Sequence, residues 1–186
     1  MVPLASLWLP ILLAAVAVFV ASSLIHMVLK YHNSDYRGLP NEDQVRAAIR
    51  SSNPAPGQYF MPHCPDHKEL KKPEVQQKFI DGPVGIITLM RPGPPTMGKP
   101  LVLWFILNLL IAIAAGYLAS RTVPHGASFL AVCRVVGLVT FLAYAGGAVS
   151  NAIWYGRTQS AAIKDVIDAF IFGLVSAAVF GWLWPR

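Results

Sequence analysis

The densest run of reactive side chains is Met61-Pro62-His63-Cys64-Pro65-Asp66-His67, which sets a thiol and two imidazoles within five consecutive residues. Soft sulfur and imidazole together suit zinc or copper, so His63, Cys64 and His67 form a candidate metal site. His32 could add a ligand if the chain folds back on itself. Against this, a structural zinc site takes four ligands, and the second cysteine pair usual in zinc folds is absent. Cys64 is also a candidate nucleophile, because a neighbouring imidazolium favours the thiolate and Asp66 could orient the base. Adjacent residues seldom reach each other in that geometry, and an exposed turn stiffened by Pro62 and Pro65 accounts for the same sequence.

A second set of candidates sits in apolar surroundings. His26 falls near the end of the first apolar run, and Asp165 and Asp168 near the start of the last. Ionisable groups inside a spanning segment point to proton relays or ligand contacts. The plain alternative is that both aspartates occupy a first helical turn, where the macrodipole favours negative charge, while His26 donates to a carbonyl. Asn108 and Arg134 are further polar side chains within apolar runs. Arg134 is expected to snorkel outward, to bond Tyr117 or Asn108, or to meet an acidic group on a partner protein or an anionic cofactor. His26 alone is a poor haem ligand, since a second axial ligand at matching depth is wanted and the sequence suggests none.

The elements that must position these groups follow from composition. Of 186 residues, 55% are hydrophobic and only 13% are Asp, Glu, Lys or Arg, too few for the surface of a soluble domain. The mean hydropathy is +0.51. The charges crowd between Lys30 and Lys99, leaving two apolar ends around a polar middle. The net charge of +6 does not indicate nucleic acid. Acidic residues interleave the basic ones, and a membrane protein carries such a bias for topological reasons. Cys64 and Cys133 lie in segments of different polarity, so no disulfide framework is expected.

The sequence therefore predicts an all-α membrane protein with four transmembrane helices and a small α+β-like loop subdomain between helices 1 and 2. The first helix occupies residues 1–30. The run from Val2 to Leu29 lacks a leading Lys or Arg and is too long for a signal-peptide core, so it is expected to be retained. The polar subdomain covers residues 31–99. The remaining helices lie in residues 100–186, at about 101–119, 127–149 and 163–184, each about the twenty residues that cross a bilayer.

Lys and Arg beside the helix ends set the expected orientation. With both termini outside, the cytoplasm receives Lys30, Arg37, Arg91, Lys99 and Arg157, among others, and the opposite side holds only Arg121 and Arg186. Small residues recur at four-residue spacing in three stripes: Ala112–Gly116–Ser120, Ala143–Gly147 and Gly173–Ala177–Gly181. Such stripes let helix backbones approach closely in lipid.

Within the polar segment, Asn41 followed by Glu42, Asp43 and Gln44 predicts a capped helix to about Ser51. Gln58–Met61 and Val84–Met90 read as strands, Pro73–Ile80 as a helix stopped by Gly82, and Arg91–Lys99 as an extended link.

Three functions are compatible with this sequence. The first is a non-catalytic accessory or scaffold subunit in the cell membrane, binding another membrane protein or its own copies and having no cofactor. The second is a small proton-coupled transporter using His26, Asp165 and Asp168. The third is a metal-handling membrane protein using His63, Cys64 and His67. No constellation predicts an enzyme.

Overall fold

A long apolar run can satisfy its backbone in lipid only through its own i→i−4 hydrogen bonds, and this chain builds its apolar runs as helices. The computed structural model describes all 186 residues, which divide into two compact units: 1–36 with 96–186, and 37–95.

In the helical unit, α1 (Trp8–Ser23) is preceded by a 3-10 turn, Leu4–Leu7, and followed by a π-helical turn, Leu24–Leu29. The polar unit then supplies α2 (Glu42–Ser51), β1 (Gly57–Met61), α3 (Pro73–Asp81) and β2 (Gly85–Leu89). The helical unit resumes with α4 (Gly98–Thr122), α5 (Phe129–Tyr155) and α6 (Gln159–Trp182). Three stretches, Leu4–Leu29, Gly98–Thr122 and Phe129–Tyr155, are long and apolar enough to cross a membrane.

α1 packs on α4 and α6, and α5 packs on α4 and α6. Toward the chain termini the core is built from Leu7, Ile11, Ala14, Ala115, Val132, Val136 and Phe180. A smaller cluster of Val18, Ile25 and Phe172 lies beneath Tyr31, Trp104 and Tyr144. The side chains pointing away from this core are themselves apolar, as with Leu12, Leu103, Leu138 and Leu174. That inverts the soluble pattern and suits lipid contact.

Two of the three small-residue stripes meet neighbours. A Cβ built on Gly116 would sit 3.2 Å from both Ile11 and Phe180. On Gly173 it would sit 2.9 Å from the Gly137 carbonyl oxygen, so the α5 and α6 backbones are in direct contact. Ala143 and Gly147 instead face outward, and the buried small residues on that part of α5 are Ala145 and Ala148. Between α5 and α4, Tyr144 Oη donates to Asn108 Oδ1 at 2.7 Å, while Asn108 Nδ2 and Thr140 Oγ1 are buried without partners.

The polar unit matches its sequence element by element, with one correction. α2 begins at Glu42, but Asn41 adopts a left-handed backbone (φ 56°) and makes no capping hydrogen bond, so the expected capping box does not form. β1 and β2 pair antiparallel with Gly57 opposite Leu89 and Met61 opposite Gly85. α3 starts on Pro73 and stops at Gly82, whose φ of 63° suits a residue without a Cβ. No residue of this unit is fully buried.

Several boundaries differ from the expected ones: α4 spans Gly98–Thr122 where 101–119 was expected, and α5 runs on to Tyr155 where its end was expected at 149. Tyr31–Tyr36 belongs to the helical unit, where the polar segment was expected to begin at residue 31. α6 starts at Gln159 and not near Ile163, because Thr158 Oγ1 accepts from the Ala161 N–H and caps the helix one turn earlier.

Candidate functional site

The earlier start of α6 changes the reading of its acidic residues. Neither Asp165 nor Asp168 lies in the first turn, so the helix terminus does not account for them. Asp168 is nine residues into the helix, about 13 Å along its axis at 1.5 Å per residue. It is 4% exposed, among the least accessible polar residues of the chain.

What faces Asp168 is the far end of the first helix. The π-helical turn ends at Lys30, which takes a left-handed conformation with φ 53°. Its N–H bonds the Ile25 carbonyl at 3.1 Å, closing the turn. The chain then reverses into a 3-10 turn, Tyr31–Asp35, which lies against α6.

Three carboxylates gather there with their partners. Tyr31 Oη donates to Asp168 Oδ1, and His32 Nε2 lies 2.9 Å from Asp168 Oδ2. His32 Nδ1 donates to Asp35 Oδ2 at 2.8 Å. Lys164 Nζ donates to Asp35 Oδ1 at 2.6 Å, to Ser34 Oγ at 2.7 Å and to the Tyr31 carbonyl at 2.9 Å. Arg157 reaches Asp165 through both terminal nitrogens, at 2.8 and 3.1 Å. The Lys164 ammonium, chiefly by its hydrogen bond, holds the Asp35 carboxyl below its ordinary 3.8, with His32 adding to this and burial opposing it.

His26 completes the cluster. Its ring stacks on His32 with centroids 4.7 Å apart and planes 2° from parallel. Its Nδ1 donates to the Ser22 carbonyl at 3.0 Å, the carbonyl contact expected of it. The same Ser22 accepts, at its hydroxyl, from Trp104 Nε1 at 2.8 Å, tying this end of α1 to α4. One potential ligand atom from each of His26, His32 and Asp168 lies within 4.8 Å of the others. A second histidine therefore does stand at the depth of His26, although the parallel stack does not present two nitrogens from opposite faces of a haem.

The other candidates are placed elsewhere. His63 and His67 are exposed and Cys64 is half-buried, its Sγ bonding the Asp66 carbonyl at 3.2 Å. Cys64 and Cys133 are both free. Arg134 is exposed on α5 and makes no ion pair or hydrogen bond within the chain. The expected bond from Arg134 to Tyr117 or Asn108 does not form: Tyr144 donates to Asn108 Oδ1, and Arg121 lies 5.6 Å from the Tyr117 ring.

Sequence reasoning selected His26, Asp165 and Asp168 but missed Tyr31, Asp35, Lys164 and Arg157, and it assigned His32 to a different site. A signal was available in the spacing of His26, His32 and Asp35, which repeats polar ring and carboxylate groups just past an apolar run. The chain matches no protein-family model, no curated protein and no solved structure. The site therefore rests on its own geometry.

Proposed function

We propose that this chain is a small proton-coupled cation transporter that crosses the membrane four times, with α6 as the fourth crossing. Both termini face outward, and the polar unit and the Asp168 cluster lie toward the cytoplasm. The Lys and Arg asymmetry between the connecting segments supports that orientation.

One observation carries the transport reading: the three carboxylates are not compensated alike. Asp35 has Lys164 and Asp165 has Arg157, each a permanent cation. Asp168, the deepest in α6, has only a phenol and an imidazole. The Asp35 and Asp168 side chains are about equally enclosed, 4% and 6% exposed, and an arrangement serving only to hold helices together would give both a fixed cation, because an unpaired buried charge is costly. A carboxylate without one is free to receive a mobile cation, and intramembrane acids commonly serve in ion pathways. Reconstituted into proteoliposomes, the protein is expected to carry protons down an imposed gradient, read with an enclosed pH dye. Asp168→Asn should abolish that flux while leaving the thermal melt intact. Equal flux in the Asn variant would remove the reading.

The accessory-subunit reading is favoured by a different observation. The polar unit has no fully buried residue, and Tyr59, Phe60, Met61, Ile80 and Met90 remain exposed on it. A two-stranded sheet without a core is marginal alone, which supports a covering partner. Mild-detergent extraction from native membranes is then expected to yield a defined larger assembly containing a second protein. Isolation as a lone chain would discard this reading.

A further inference from the structure

We infer that the cation received at the Asp168 cluster is a divalent first-row transition-metal ion, bound by His26, His32 and Asp168. This rests on the transport reading and names its substrate class.

The donor set is the first argument. Two imidazoles and one carboxylate suit zinc, iron(II), cobalt or nickel. Magnesium and calcium prefer all-oxygen shells, and copper(I) prefers thiolates or thioethers. Three protein ligands also leave coordination positions open, as in sites where the ion or its other ligands exchange. Closed structural zinc sites use four.

The second argument is the surrounding shell. Metal-ligating histidines characteristically donate their other ring N–H to a carboxylate or a backbone carbonyl, which fixes the tautomer and aims the remaining nitrogen. Both forms occur here. His32 Nδ1 donates to Asp35, itself anchored by Lys164, so Nε2 is turned toward Asp168. His26 Nδ1 donates to the Ser22 carbonyl, leaving its Nε2 without a hydrogen-bond partner. Tyr31 holds Asp168 Oδ1, so that Oδ2 is the oxygen facing the imidazoles.

The third argument is access. His32 and Asp168 are enclosed, whereas His26 is exposed and lines an open cleft of about 300 Å³ with Met27, Met97 and Trp104. Metal–nitrogen distances of about 2.0–2.1 Å require the ligand atoms to close inward from their 4.8 Å spread. The exposed His26 ring, held by its Nδ1 bond to Ser22 and its stack on His32, is the ligand with open space beside it for that movement.

The test uses the full chain in detergent, stripped with a chelator and titrated with Co²⁺, then with Zn²⁺ in competition. One ion per chain is expected, with a visible cobalt d–d absorption that zinc abolishes. Because His26 is exposed, His26→Gln should leave the melting curve unchanged, yet weaken binding by about tenfold or more, as the loss of a ligand should exceed the effect of losing a supporting contact. Asp168→Asn should do the same, and simultaneous alanine substitution of His63, Cys64 and His67 should not.

No saturable binding by the wild-type chain would overturn the assignment. So would binding that survives both His26→Gln and Asp168→Asn, or binding lost with the His63–His67 substitutions. Proteoliposome flux separates this failure from that of the transport reading. Proton flux dependent on Asp168 with no bound metal overturns the metal and keeps the transporter. Stoichiometric metal binding with no flux of either ion supports the site and removes transport.

Discussion

Gly173→Ala is expected to lower the thermal midpoint of the detergent-solubilised protein by several degrees, an unusually large loss for one added methyl group. The new Cβ would stand 2.9 Å from the Gly137 carbonyl oxygen and 3.3 Å from the Phe141 Cβ. The first is a backbone atom, so no side-chain rotation relieves the overlap, and α5 and α6 must move apart along their shared face. Overpacking a close contact costs about 1–3 kcal/mol. For a chain of this length, each kcal/mol corresponds to about 2–4 °C. Gly173→Leu should exceed this and disrupt the bundle.

The comparison with other glycines makes the prediction specific. At Gly181 the built Cβ is closer still, 2.6 Å from the Phe129 ring, but a ring edge can swing away. Gly181→Ala should therefore cost less than its distance suggests. Gly146 and Gly147 have nothing within 4 Å, and alanine there should be neutral or slightly stabilising, since glycine is about 1 kcal/mol the poorer helix former. A Gly173→Ala protein melting with the wild type would show that the α5–α6 backbone contact is not formed in solution.

Why α6 carries its glycines was legible in the sequence, because Gly173, Ala177 and Gly181 fall on one helical face. Their partner was not, since Gly137 belongs to no stripe and is found only once the helices are docked. The elements of the polar unit were equally legible: the β-branched run within Val84–Met90, the Pro73 start and the Gly82 stop are local signals. Asn41 shows the limit of such signals, because the same residue type that caps helices also tolerates a left-handed backbone, and here it does the second.

The candidate site was half legible, for a physical reason. Hydropathy located His26 and Asp168 as polar interruptions of apolar runs. It could not place Tyr31–Asp35, which reads as the start of a polar loop. That segment turns back onto α6 because Lys30 adopts φ 53°, a conformation that nothing short of glycine or asparagine advertises. The start of α6 was misjudged for a related reason. Hydropathy begins at Ile163, whereas the helix begins where Thr158 can cap it, and that one-turn difference carries Asp165 out of the first turn and sets Asp168 a turn deeper.

Lys164→Met is expected to release the Tyr31–Asp35 turn from α6, raising amide hydrogen exchange across residues 31–36 by about tenfold or more, as local opening sets the exchange of such segments. Lys164 makes three of the bonds that hold this turn, to Asp35, Ser34 and the Tyr31 carbonyl. Methionine keeps the apolar stem and removes all three, leaving Asp35 with His32 alone. Removing one partner of an enclosed pair is worse than removing both, so Lys164→Met combined with Asp35→Asn should exchange more slowly than Lys164→Met alone. The pH dependence has a definite sign. Asp35 is held below 3.8 in the folded chain, so its contribution is fully present above that value and is lost as pH falls through the lower folded value. Exchange at residues 31–36, corrected for its intrinsic pH dependence, should thus show no Asp35 step between neutral pH and about 5, and should rise in acid. In Lys164→Met the main cause of the lowering is gone, so the acid rise should begin at higher pH. If residues 31–36 exchange alike in both proteins, Lys164 does not secure the turn. The orientation of His32, on which the Asp168 cluster depends, would then need another support.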